Sequence, residues 1–172
     1  MTAGPQLVDA FTARRESDAT SLVFEYMAAT LAEAGRAPPA GIDQLPPVLR
    51  DECQNLAAVY RLPGTLLVAY RDEEPIGCVG LAPDPPGLTA EVKRLYVRPT
   101  HRKAGIGHIL MLHAHRHAAQ HGLRQLILDV LPSRTHVIDF YRRLGYTDTD
   151  PYPPSHLWPW STCSGRFSGN AG

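Results

Sequence analysis

Apolar positions along this chain recur at two spacings, helical in its first third and then alternately extended and helical. Gln6 to Ala13 alternates weakly through Leu7 and Phe11, which predicts an edge strand. Ser17 or Asp18 offers N-cap chemistry for a helix to about Ala34, with Leu22, Tyr26 and Ala29 on one face and Gly35 as the stop. Ala37 to Pro47 is rich in proline and predicts a loop. Helical spacing returns at Val48, Cys53, Leu56 and Val59 or Tyr60, until Pro63-Gly64 ends it. Two apolar runs, Leu66 to Tyr70 and Ile76 to Leu81, then flank Arg71-Asp72-Glu73-Glu74-Pro75 as a hairpin. Beyond a loop at Pro83 to Gly87, a third strand is predicted from about Thr89 to Val97. A helix comes next, from Gly105 to about His121, stopped by Gly122. Gln125 to Leu131 is nearly continuous in apolar residues and predicts a strand buried on both faces. Ser133 caps a short helix to Arg143, Gly145 ends it, and Tyr146 starts a further strand that prolines soon interrupt. This order predicts one α/β (α+β) domain, a mixed sheet with helices packed on it.

Composition narrows the classes. A chain of 172 residues can bury a substantial core, and 44% hydrophobic with 20% charged residues is ordinary for a soluble globular protein. Seventeen basic and seventeen acidic residues cancel, which argues against nucleic acid held by a broad basic surface. Cys53, Cys78 and Cys163 lack metal-ligand spacing and imply no disulfide framework; Cys78, in an apolar strand, reads as a buried thiol. The N-terminus lacks the charge and apolar run of a secretory signal, and no stretch approaches the ~20 apolar residues that span a bilayer. The expectation is a soluble, cytoplasmic protein with no membrane partner.

Chemistry enters at Arg102-Lys103-Ala104-Gly105-Ile106-Gly107, where the third strand gives way to a helix. Glycines at G-x-G spacing leave the main chain approachable, and the helix N-terminus behind them adds roughly half a positive charge. The loop therefore reads as an anion cradle suited to a pyrophosphate. It is not a Walker loop, and the dinucleotide fingerprint fails because its third glycine would be Leu110.

What remains is R-x-x-G-x-G, and with it Glu91 to Tyr146 resembles the GNAT family of N-acetyltransferases. The matching text is E-V-K-R-L-Y-V-R-P-T-H-R-K-A-G-I-G-H-I-L, then L-I-L-D-V-L-P, then D-F-Y-R-R-L-G-Y, about a third of the chain. The resemblance implies the GNAT fold, a central mixed and mostly antiparallel sheet flanked by helices. It implies one acyltransferase domain over residues 1–160 and a polar tail over 161–172. It also implies transfer of acetyl from acetyl-CoA, as cosubstrate and without a metal, to an amine acceptor. The acceptor is expected to be a small molecule, attacking directly in a ternary complex, and a homodimer is left open.

The same resemblance assigns residues. The backbone of Leu95, Tyr96 and Val97 pairs with the pantetheine, and Arg102, Lys103, Ala104, Gly105, Ile106, Gly107 and His108 take the pyrophosphate. A backbone N–H of Leu95–Val97 meets the developing oxyanion where that strand splays from Gln125–Leu131. Glu91, eleven residues before Arg102, matches the catalytic base of the histone-acetylating members. An amine of pKa ~10 needs such a carboxylate, directly or through water. Tyr141 matches the tyrosine near the CoA sulfur, the general acid that protonates the leaving thiolate. Two departures stand out. Ser133-Arg134 stands where many members carry an asparagine on CoA, so Ser133 either replaces one hydrogen bond or only caps a helix. Trp158-Pro159-Trp160 and the tail after it predict a final strand that is short, irregular or absent.

Other residues stay open at this level. Asp129, inside an apolar strand, needs a partner, structural or catalytic. His113 and His117 read as packing side chains, with His115 and His121 solvated or at the helix end. Glu25, Glu33, Asp51 and Glu52 either attract a cationic amine or form solvated helix faces. The rival readings are a non-catalytic acyl-CoA-binding sensor and a protein-interaction domain built on the proline-rich segments with Trp158 and Trp160.

Overall fold

The computed structural model describes residues 4–84 and 88–150, and the backbone of 163–168. Its elements run β1 (Gln6–Asp9), α1 (Glu16–Glu33), α2 (Pro47–Gln54), α3 (Leu56–Val59), β2 (Thr65–Arg71), β3 (Glu74–Asp84), β4 (Thr89–Val97), α4 (Ile106–Gln120), β5 (Gln125–Val130), α5 (Thr135–Arg143), β6 (Thr147–Thr149) and β7 (Cys163–Ser168). The strands make one seven-stranded mixed sheet in the order β1-β2-β3-β4-β5-β7-β6. Only β4 and β5 pair in parallel, as expected of two strands joined through a helix. The final strand does form, six residues long and seated between β5 and β6. Part of the expected tail is thus sheet, because β5 offers it a full edge of unpaired backbone. Trp158-Pro159-Trp160 and the loop residues 85–87 lie outside the described residues.

Two cores sandwich the sheet. Ile76, Val79, Leu81, Ala90 and Val92 face α4 and α5, where Ile106, Leu110, Met111, Ala114 and Tyr141 meet them. Leu66, Val68, Tyr70, Cys78 and Tyr96 face the other way, onto Leu22, Val23 and Met27 of α1 and Cys53, Leu56 and Tyr60 of the α2–α3 segment. Cys53 and Cys78 are buried free thiols.

Two irregularities set the course of β4. Its pairing with β5 runs only from Thr89↔Gln125 to Val92↔Leu128, so Lys93 to Val97 leave that ladder and the two strands part. Against β3, Cys78 pairs with Tyr96 but Gly80 pairs with Lys93, so β4 carries one extra residue, a β-bulge. Arg94 sits in it at φ 57°. Across the bulge, Lys93 and Arg94 both reach Glu52 of α2, so two consecutive side chains share one face.

Several expectations are corrected. Neither Ser17 nor Asp18 caps α1; the N-cap is Arg15, and Asp18 instead accepts a 2.5 Å hydrogen bond from the Tyr70 hydroxyl. Val48 is 71% exposed and off the apolar face. In β5, Leu126, Leu128 and Val130 are buried while Gln125, Ile127 and Asp129 are half-buried, so one face rather than both is fully covered. Ser133 does not cap α5: the N-cap is Arg134. His115 is half-buried, with its Nε2 3.0 Å from the Tyr146 hydroxyl, rather than solvated. Among the described residues, no helix is long and apolar enough to cross a membrane.

Candidate active site

β4 runs out at Val97, one 3-10 turn spans Pro99–His101, and the loop then swings into α4. Gly105 forms the N-cap at φ 75°, a left-handed conformation that glycine adopts freely. Ile106, 2% exposed, pins the first turn of α4 into the core. Among the described residues no side chain caps this helix, so its first N–H groups stay available. A Cβ on Gly105 would meet nothing within 4 Å, and one on Gly107 only Phe140 Cζ at 3.8 Å. The space over the loop is therefore open, and the helix dipole points its positive end there. Arg102, Lys103, Ala104, Gly105 and His108 are exposed around it, and Gly107 is half-buried. Arg102 folds back: its Nε donates to the Val97 carbonyl at 2.9 Å, and its guanidinium lies 5.9 Å from the Tyr96 ring centre. Ser133 is exposed, in the loop between β5 and α5.

The gap between β4 and β5 is the second part of the site. Tyr96 is buried towards α1, while Leu95 and Val97 are half-buried against the α4 core. Tyr26 of α1 meets the Tyr96 ring edge-on, centroids 6.4 Å apart. Two guanidiniums also approach the Tyr26 ring, Arg94 at 5.4 Å and Arg134 at 6.0 Å. Arg134 is held in turn by Glu33 at 2.6 Å and by Thr30 Oγ1 at 3.2 Å. From the end of β4, Arg98 grips Glu25 at 2.7 and 3.1 Å and Glu74 at 3.3 Å. Helix α1 is thus tied to β4 on one side of the gap and to the start of α5 on the other.

Glu91 is half-buried in the last paired stretch of β4, opposite Ile127 of β5, with Oε2 3.9 Å from Lys93 Nζ. By strand alternation it shares the α1–α2 face with Lys93. Asp129 lies one residue past the last β4–β5 rung and pairs through its backbone with Ser164 of β7. Tyr141 approaches from α5, buried, with its ring edge-on to Phe140 at 5.3 Å and Tyr146 at 5.4 Å. Burial pushes its phenol well above the ordinary range; Tyr26 adds to that and Arg134 opposes it.

The structure thus brings Leu95, Tyr96, Val97 and the Arg102–His108 loop together at the C-terminal end of β4, while Glu91 lies near the start of the strand and Tyr141 is packed into the core on the α4 side of the sheet. Sequence reasoning missed the contacts that frame the site: Arg94 and Arg134 against the Tyr26 ring, and Arg94 on Glu52. The one available signal was the adjacent pair Lys93-Arg94 in β4, which an alternating pattern cannot place on one face. Glu52 is buried and Glu25 half-buried, each matched by an arginine of this chain, whereas Asp51 and Glu33 are exposed on helix faces, Glu33 with Arg134 beside it. Among the described residues no group of three side chains is arranged to hold a metal ion.

The family model described as "Acetyltransferase (GNAT) family" matches residues 30–146. An uncharacterised N-acetyltransferase of Schizosaccharomyces pombe is 31% identical over 104 residues, 59% of this chain and 64% of that protein. The IAA acetyltransferase of Azospirillum brasilense is 36% identical over 88 residues, 51% of this chain and 58% of its own length. The matched stretches thus span less than two thirds of either relative. Among solved structures, the paia N-acetyltransferase of Thermoplasma acidophilum in complex with coenzyme A superposes with a TM-score of 0.68 at 17% identity, covering 97% of this chain and 100% of that one. At that identity the likeness is one of fold.

Proposed function

The chain belongs to the acetyltransferase (GNAT) family, and on that premise we propose that it transfers an acetyl group from acetyl-CoA to the amine of a small molecule in a ternary complex. The observation that carries this is the open, uncapped N-terminus of α4 beside the parted edge of β4. The first suits the pyrophosphate, and the second offers the backbone groups of Leu95–Val97 to the pantetheine. The structure of the relative solved with coenzyme A supports the same cosubstrate. The relative named IAA acetyltransferase supports a small-molecule acceptor.

In this reading Glu91 takes the proton of the amine, directly or through one water. The freed lone pair attacks the thioester carbonyl, and a backbone N–H of Leu95–Val97 meets the oxyanion. As the intermediate collapses, the C–S bond breaks and the Tyr141 hydroxyl gives its proton to the leaving sulfur. Burial makes that phenol a weak acid. It also keeps the proton in place at every working pH, and a thiolate shielded from water becomes more basic for the same reason.

Thiol release from acetyl-CoA over a panel of amines tests the proposal. Turnover is expected with at least one amine, and Glu91→Gln should remove the acidic limb of the pH–rate profile, because an amide cannot accept the proton. Tight acetyl-CoA binding without release on any amine would leave the sensor reading standing. Wild-type kcat and an intact limb in Glu91→Gln would move the base elsewhere.

A further inference from the structure

One buried carboxylate gathers its partners beneath the β4 bulge. Glu52 accepts hydrogen bonds from Arg94 Nε and Nη2 at 2.8 and 2.7 Å and from the Tyr60 hydroxyl at 2.7 Å. Lys93 Nζ lies 3.4 Å away. Glu52 is only 8% exposed, and a charge so desolvated is tolerated because its oxygens are matched in full. Its main partner is an unusual one. Arg94 holds φ 57°, where glycine rests freely and an arginine is strained. The bulge could be built with glycine; what arginine adds is the guanidinium that reaches Glu52 and lies over Tyr26. Immediately after Arg94 come Leu95, Tyr96 and Val97, past the last β4–β5 rung.

We propose that Glu52 is a positioning residue for acetyl transfer: through Arg94 it clamps the β4 bulge, and the clamp fixes the direction of the N–H groups of Leu95–Val97 at the gap. The inference rests on the acetyltransferase reading. A donor aimed at an oxyanion is worth on the order of 10²–10³ in kcat when removed, and misaiming one costs part of that. The anion cradle of α4 lies on a separate element, so the pyrophosphate should not feel the clamp, while the pantetheine, held by the same Leu95–Val97 backbone, should feel it weakly.

The experiment compares Glu52→Gln, Arg94→Gly and Arg94→Lys with the wild-type chain. Steady-state kinetics are run on the best amine, and backbone amide shifts are tracked by NMR. Glu52→Gln and Arg94→Gly should lose about 10- to 100-fold in kcat, with a much smaller rise in KM for acetyl-CoA. Amides of Leu95–Val97 should shift, while those of Ile106–His108 stay put. Arg94→Lys, which keeps a cation for Glu52, should recover part of the loss. If Glu52→Gln does not fold, Arg94→Gly carries the comparison, since glycine is at ease at φ 57°. Wild-type kcat in a folded variant overturns the proposal, and so do unmoved Leu95–Val97 amides. A wild-type protein that releases no thiol with any amine overturns the acetyltransferase reading instead. The amide shifts then decide the clamp alone, and unmoved amides overturn it.

Discussion

The Tyr60 ring fills the space where a side chain on Gly80 would begin. Gly80 pairs with Lys93 at the bulge, and Tyr60, buried at 1% exposure, carries its hydroxyl to Glu52. A missing Cβ on β3 thereby lets the ring pass that completes the carboxylate's hydrogen bonds. Gly80→Ala should cost about 1–3 kcal/mol, because the new Cβ overlaps a fully buried ring that must shift to admit it. Urea unfolding with an unchanged m-value would report it. Wild-type stability would show that the sheet yields instead.

Gly107→Asp separates ligand from fold. Gly107 lies in the first turn of α4, where an acidic side chain favours the helix by about 0.3–1 kcal/mol. A Cβ there meets only Phe140 Cζ at 3.8 Å, so the backbone has no reason to move. The new carboxylate would stand in the anion cradle. Coenzyme A affinity measured by calorimetry should fall at least roughly tenfold while the melting temperature holds or rises. Equal affinity in the two proteins would remove the loop from the binding site.

Tyr141→Phe deletes one oxygen from a packed cluster of Phe140, Tyr141 and Tyr146. If the hydroxyl is the proton donor, kcat should drop by about 10²-fold or more with acetyl-CoA affinity preserved. Pre-steady-state measurement of the chemical step is the proper check, because slow product release would hide the loss. An unaltered chemical step would return Tyr141 to packing alone.

Glu52 also sets a response to acid. Burial by itself would raise its carboxyl, but Arg94, then Lys93 and Tyr60, outweigh it and hold the group at about 2 rather than the usual 4.5. The folded state therefore favours the anion. Its stabilisation is complete above pH 4.5 and is lost as pH falls from there towards 2. Chemical denaturation of wild type and Glu52→Gln should differ by on the order of a few kcal/mol near neutrality, with the difference closing across that window. A difference independent of pH would mean that the glutamine acts through shape and not charge.

Contiguous pattern is what a sequence shows plainly. Thr89 to Val97 and the β2–β3 hairpin were legible because their alternation and turn residues are contiguous. The Arg102–Gly107 loop was legible because glycine spacing is local too. The bulge at Arg94 was not, since nothing in an arginine announces a left-handed backbone and its partner Glu52 lies far back in the chain. Glu52 itself sits in a charged stretch that reads as solvated until Tyr60 and Arg94 close over it. The segment Cys163–Ser168 contains serine and glycine, poor strand formers by propensity, and becomes a strand because β5 pairs with it along its length. Propensity loses there to a ladder whose other half is written elsewhere.

The place of that last strand also bears on how the molecule is made. β7 is not an edge ornament: it fills the slot between β5 and β6, two strands that precede it in the chain. Until β7 docks, α4, β5 and α5 can pack without it, leaving β5 with a row of unanswered amides and carbonyls. Such an edge invites pairing with any other extended chain nearby. A folding chain whose last strand has not yet docked is therefore nearly complete but adhesive. A chain cut shortly before residue 163 would display that exposed edge permanently.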